Sequence, residues 1–330
     1  MPNKETPSPL TRPMTAADWP AVEAGFAHSF LDCRAPAIWD WRFQQHLPAQ
    51  SGWRGWITEM PNGDVAAFIG GSVHRGWLHA QDATFILARD NYSHPRWRSQ
   101  AGGARHGLFA RTEQAFHAAC AADSSLCLGI GLDRRVKLDS LLGISTPYTR
   151  GQWWRAALAA IEPLGCSCLA LPTHFSESTW NHLWRQRRTQ LTMSLVRDQA
   201  FLAWRFDERQ GQTYWRFGLW SVTSSTPLGY LVITPLEAGR AVLVDCVLPE
   251  QPEAIRDGMR QINAWLVERG IRQLETFLGR ACPEQVYLPM LGFQQCTPPL
   301  PVMPAYRIYS GLAEDFEQHY AFTLADSDLY

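Results

Sequence analysis

Apolar and polar positions along this chain fall into runs that recur. Residues 53–58 and 65–73 have strand character and flank Pro61-Asn-Gly63, a turn composition that joins paired strands. Residues 214–222 and 228–234 repeat the arrangement around a Ser/Thr/Pro turn. Leu108, Phe109, Ala115, Phe116, Ala119 and Cys120 then recur at helical spacing, as do Ile255, Met259, Ile262, Trp265 and Leu266. Each predicted helix leads to a short apolar strand, at 126–132 or 274–278, and then to a matching phrase, Leu141-Leu-Gly-Ile144 or Leu291-Gly-Phe293.

The two series are announced by related octapeptides, PAIWDWRF at 36–43 and QAFLAWRF at 199–206. The same succession of elements in the same order, twice, predicts an α/β chain of two related halves. The expected domains are 8–160 and 161–330, joined somewhere near 155–172.

Composition narrows the class. The 330 residues are 46% hydrophobic and 18% charged, values of a folded chain, and the formal net charge is −1. That balance offers no broad basic surface for duplex nucleic acid. The basic side chains are arginine except for Lys4 and Lys137. No run of eighteen apolar residues predicts a membrane span, and the first residues lack the apolar core of a secretory signal. The eight cysteines form no CxxC pair, so they read as reduced, packed thiols and a cytoplasmic location is expected. No His/Cys/carboxylate spacing suits a metal, and GxSxG, HExxH and Walker patterns are missing. The 15 tryptophans promise large buried areas.

Particular phrases carry a resemblance. Leu10-Thr-Arg-Pro-Met-Thr-Ala-Ala-Asp18 resembles the opening of the GNAT (Gcn5-related N-acetyltransferase) superfamily. Residues 90–98, Asp-Asn-Tyr-Ser-His-Pro-Arg-Trp-Arg, resemble its strand-to-loop segment, and the Leu-Gly-apolar phrases resemble its C-terminal helix–strand junction. The repeated WRF is similar to tandem members in particular. The resemblance implies two tandem GNAT-like domains, each a mixed, splayed central sheet flanked by helices. It also implies an acyltransferase that moves an acetyl or longer acyl group from an acyl-CoA to an amine on a small-molecule acceptor. In that family, loop N–H groups before a helix hold the CoA pyrophosphate, and the thioester lies between splayed strands.

Carried onto this sequence, the resemblance places CoA binding on Tyr92, Ser93, Arg98, Gly102, Gly103, Ala104, Arg105, His106, Gly107 and Leu108. The family loop is Arg/Gln-x-x-Gly-x-Gly/Ala; here Arg98 is followed by a longer Ser-Gln-Ala-Gly-Gly-Ala-Arg-His-Gly. In the second half Asp245 answers Asp90, but Leu-Pro-Glu-Gln-Pro-Glu follows Val247, with neither glycine nor arginine. That half is expected to be degenerate, structural or acceptor-shaping. The tyrosine that many family members place four residues before the Gly-Phe glycine is replaced by Asp139, with Leu288 in the second half. Catalytic candidates are therefore Asp139 as acid and Asp90 or Asp82 as base; loop support for Asp90 and a solvated helix position for Asp139 are the plainer readings. Other readings keep the fold with a different role: a non-catalytic acyl-CoA-binding or scaffold protein, or a donor presented by an acyl-carrier protein or an aminoacyl-tRNA. A chain that contains two related halves imitates a dimer, so a monomer or weak dimer is expected.

Overall fold

The computed structural model of the chain describes residues 8–31, 34–44, 52–98, 107–159, 167–224, 226–310, 316–327 and 329–330. Strands and helices are numbered here along the chain. The first sheet has the order β1 (Leu10–Pro13), β2 (Trp53–Glu59), β3 (Val65–Leu78), β4 (Gln81–Ser93), β5 (Leu126–Leu132), β15 (Val302–Ile308), β6 (Thr146–Pro147). The second has the order β14 (Gln294–Cys296), β7 (Gly151–Ala157), β13 (Gln273–Gly279), β12 (Arg240–Val247), β11 (Pro227–Pro235), β10 (Trp215–Ser221), β8 (Cys168–Pro172). In each sheet one parallel pair, β4–β5 or β12–β13, interrupts antiparallel neighbours. The mixed sheets and their flanking helices are those of the predicted tandem α/β architecture.

The helices are α1 (Trp19–Phe30), α2 (Pro36–Trp39), α3 (Leu108–Cys120) and α4 (Asp133–Leu141) in the first half, and α5 (Thr179–Arg187), α6 (Gln199–Leu202), α7 (Pro252–Glu268) and α8 (Phe316–His319) in the second. Local chemistry accounts for their ends. Thr15 and Asp18 form a capping box ahead of α1, with Pro20 in its first turn, and Leu31 closes that helix at φ 55°. Both WRF phrases lie in single π-helical turns, Asp40–Gln44 and Ala203–Asp207, directly after a four-residue helix.

Many tryptophans are core. Trp19 stacks near Trp39, Phe43 and Trp53 at centroid distances of 5.8, 5.1 and 5.2 Å. Trp180 packs on Phe175 at 5.0 Å and on Tyr230 at 6.2 Å in the second half. Such rings are large contributors to the apolar area that these sheets bury.

The chain does not divide at a single point. The described residues of Met1–His74, Thr84–Pro147 and Met303–Leu312 make one unit, and those of Arg75–Ala83, Tyr148–Val302 and Ala313–Tyr330 the other. Residues 148–157, expected in the first half, join the second unit through β7; residues 303–312, expected in the second, supply β15 to the first. The halves exchange their last strands. Local pattern was blind to this, because a strand's own residues do not say which sheet its backbone will pair with. The β3–β4 hairpin tip, with His79 and Ala80 at φ 47° and 64°, also belongs to the second unit, where Gly76–Leu78 pair with β9 (Met193–Leu195).

Candidate functional site: the splayed strands of each half

Parallel pairing between β4 and β5 covers only Phe85–Leu126, Ile86–Cys127 and Leu87–Leu128. Beyond it β4 runs on to Ser93 and β5 to Leu132, so the two strands part and their last backbone groups are unpaired with each other. Gly129, Ile130 and Gly131 on the β5 side are half-buried. A Cβ on Gly129 would touch Ala88 only at an ordinary 3.6 Å, so packing against β4 does not require that glycine. After β5 the chain enters α4; after β4 it passes residues 94–98 and reaches α3.

Asp90 stands on the parting stretch of β4 with φ 55°, a left-handed residue within a strand. Its carboxylate is almost fully buried and bound by Arg42 Nη1 at 2.6 and 2.5 Å, and by Arg34. The two guanidiniums, one on each side of α2, tie that segment to β4 through this carboxylate. It is therefore a brace and not the free base considered from sequence. Arg34 was missed there, although the signal existed: Arg34 precedes Arg42 by the spacing at which Arg197 precedes Arg205, and Arg197 binds Asp245 in the second half.

Asp82 lies at the start of β4, with its side chain 68% exposed and 3.7 Å from Arg75. Eight residues of strand separate it from Asp90, about 26 Å at 3.3 Å per residue, so it is remote from the parting strands. Tyr92 turns its ring into the aromatic core and its hydroxyl toward α1, where a Cβ on Gly25 would lie 2.2 Å from that oxygen. Burial pushes its phenol pKa upward, so only its backbone faces the gap. The Ser93 carbonyl accepts two bonds from Arg98, 3.1 Å from Nε and 2.9 Å from Nη2; Arg98 thus shapes the loop's beginning. His94 donates its backbone N–H to Ala66 and accepts one from Arg96 N–H at Nδ1.

Gly102, Gly103, Ala104, Arg105 and His106 lie outside the described residues. Gly107 is the N-cap of α3 and Leu108 its first residue; the cap supplies no side-chain bond, and no acid stands in the first turn. Among the described residues no side chain accepts from the first N–H groups of α3, the groups that a helix start leaves without an intrahelical partner. By contrast α7 begins with Pro252 and carries Glu253 in its first turn.

Asp139 sits on α4, buried, with Arg135 at 2.6 and 2.8 Å. The same guanidinium reaches Glu113 of α3 at 3.1 Å and lies over Phe109, 4.4 Å from its ring centre. Burial raises the pKa of Asp139, and burial with the neighbouring Asp139 charge pushes Glu113 up to about 7 against the pull of Arg135. Sequence alone did not single out Glu113, since a glutamate in a helix has no signature until the helix opposite is known. At the other end of α3 a cavity of about 430 Å³ is lined by His117, Arg307 and Tyr309 among others.

The second half repeats the parting and then fills it. Pairing of β12 with β13 stops at Leu243–Thr276. Beyond it Thr323 bridges Leu278, Gly279 N–H donates to Phe322 O at 2.7 Å, and Thr323 Oγ1 donates to Asp245 at 2.7 Å. Arg197 ties Asp245 to Asp326, and Tyr230 donates to Asp245 at 2.8 Å. The chain's own residues 320–327 lie against both strands where they part.

No protein-family model and no curated protein matches this sequence. Solved structures do match. A conserved protein of unknown function from Enterococcus faecalis V583, described as a probable N-acyltransferase, superposes with a TM-score of 0.65 at 9% identity, over 92% of this chain and 73% of that one. A GCN5-related N-acetyltransferase from Anabaena variabilis gives 0.65 at 11% identity, over 91% and 73%. A tandem GNAT protein of the clavulanic acid biosynthesis pathway gives 0.55 at 11% identity, over 93% of this chain and all of that one. The chain has a tandem GNAT-like fold.

Within this tandem GNAT-like chain the two halves keep the same sheet order and the same parting strands but differ in what occupies them. Among the described residues no group of three or more His, Cys, Asp or Glu is placed to hold a metal. No described helix is long and apolar enough to cross a membrane.

Proposed function

We propose that the chain is an acyltransferase whose donor is an acyl-CoA held by the first half, with an amine on a small molecule as acceptor. The observation that supports this reading is the contrast between the two partings: residues 320–327 fill the second, whereas β4 and β5 of the first part and lead toward α3, whose cap is a glycine and whose first turn holds no acid. In this reading the pyrophosphate meets the first N–H groups of α3, with Arg98 and the loop that follows it, and the thioester lies along the unpaired edge of β4 from Ala88 to Ser93. The residues present fit such a ligand: backbone donors at a helix start for the phosphates, and half-buried glycines on β5 for a narrow arm.

The amine nitrogen bonds to the carbonyl carbon and gives up a proton to solvent, the carbon–sulfur bond breaks, and the departing thiolate takes up a proton. The chain's part is positioning and that proton, assigned here to the Glu113–Asp139 pair on Arg135. Asp90, committed to two arginines, ties β4 to Arg34 and Arg42 where its backbone turns left-handed.

A thermal-unfolding scan with acetyl-CoA, free CoA and longer acyl-CoAs tests the reading. A ligand at a hundred times its Kd adds about 2.7 kcal/mol, a shift of a few degrees. The expected result is a shift that Arg98→Glu removes, followed by amine-dependent thiol release. Failure of every acyl-CoA to shift the transition would overturn it.

A further inference from the structure

We propose that the outer face of α4, with the arginines at the carboxyl ends of β4 and β5, docks an acyl-carrier protein: an acidic helical domain bearing its acyl group on a phosphopantetheine arm. This rests on the reading above that the parting strands of the first half take an acyl-phosphopantetheine arm, and adds a protein-borne source of that arm beside the acyl-CoA.

The inward face of α4 is spent on the first unit, through Val136 and through Arg135 and Asp139. Its outward face carries Arg134, Lys137 and Leu141, three and four residues apart and therefore on one side of the helix. Leu141 is 80% exposed and Leu132, just before the helix, 49%. Because β4 and β5 are parallel, their carboxyl ends share one edge of the sheet. That edge also carries Arg96 and Arg98 after β4, and Arg111 in the first turn of α3, all exposed. Among the described residues, the carboxylates placed against these cations are Asp64, 3.4 Å from Arg96, and Asp133, 2.6 Å from Lys137.

In a chain of net charge −1, positive charge is thus gathered around the mouth of the parting strands, and exposed leucines are set among it. The nucleotide of CoA would use the arginines but has no use for Leu132 and Leu141. A helix bearing carboxylates with apolar residues between them meets both, and its tethered arm is the same chemical group that the parting strands of β4 and β5 would take. Opposite charge speeds such an encounter and orients it.

The test uses the full chain and an octanoyl-loaded acyl-carrier protein of the fatty-acid-synthase type, in two arms. In the first, binding of fluorescently labelled carrier protein is followed by anisotropy. Saturable binding is expected at 50 mM NaCl, weakening at least about tenfold by 300 mM salt and at least about tenfold in Arg134→Glu/Lys137→Glu, while Arg256→Glu on α7 leaves it unchanged. No saturable binding, or binding indifferent to the double variant, would overturn the proposal. So would binding of anionic vesicles or bulk tRNA with the same dependence on α4 while the carrier protein fails to bind.

In the second arm, thiol release is compared for octanoyl-carrier protein and octanoyl-CoA. The double variant should lose about tenfold in kcat/KM with the carrier donor and stay within twofold with the CoA donor; the intact CoA rate also shows that the variant is folded. Equal loss with both donors would overturn docking. If neither donor reacts, the acyltransferase reading fails, and the anisotropy arm still decides the docking surface.

Discussion

At position 90 a carboxylate sits in the left-handed backbone region, buried against Arg34 and Arg42. Removing it leaves the arginines beside an empty position, so Asp90→Ala is expected to cost about 3–5 kcal/mol, read as a fall in the urea midpoint; a change below about 1 kcal/mol would contradict the bracing role. Two other residues set opposite pH slopes. Burial, with Arg307 adding to it, lowers the His117 pKa from 6.5 to about 3. The unfolded chain therefore takes up a proton that the folded one refuses, and stability falls as pH drops from about 6.5 toward 3. Glu113 is raised from 4.5 to about 7; there the folded chain keeps a proton that the unfolded one releases, so stability falls as pH rises from about 4.5 to 7. The two slopes oppose each other between about 4.5 and 6.5. Glu113→Gln should flatten the decline toward pH 7, and His117→Gln the decline toward pH 3, in denaturation curves collected across that range. If the Glu113–Asp139 pair supplies the proton, Glu113→Gln should also move the alkaline limb of the kcat profile.

Among the elements, the two pairs of parting strands differ in what lies between them. In the second half Phe322 and Thr323 are seated against Gly279 and Asp245, and a Cβ on Gly279 would lie 2.4 Å from Tyr148 Oη and 2.9 Å from Phe322 N. Gly279→Val should therefore displace residues 320–327, lower stability by about 1–3 kcal/mol and raise hydrogen exchange in that segment; unchanged exchange there would show that the filling does not depend on this contact. Pattern made the strands and helices readable. The strand at 126–132 was bounded correctly, and the helix seen at 255–266 extends over Pro252–Glu268. Pattern could not show that β12 and β13 part around a later segment, because Thr323 and Asp326 are polar residues whose burial exists only through Asp245 and Arg197.

For the whole molecule the exchange of last strands has a direct consequence. A chain ending at residue 300 lacks β15, which lies between β5 and β6 of the first sheet, and also the segment that fills the second sheet's gap. Such a chain is expected to lose cooperative unfolding in both units, and residues 1–160 alone should not fold either, since their β7 belongs to the other sheet. Circular dichroism melts and amide NMR dispersion would show it; a cooperative transition from residues 1–160 would refute the exchange. The repeat of elements and the two-half α/β class followed from the sequence alone, because hydrophobic period and turn residues are local quantities. Which sheet each final strand joins, the pairing of Asp90 with Arg34 and Arg42, the Glu113–Arg135–Asp139 group and the filling of the second gap were decided by tertiary structure, because each depends on groups far apart in sequence whose charges and hydrogen bonds act only once the chain has brought them together.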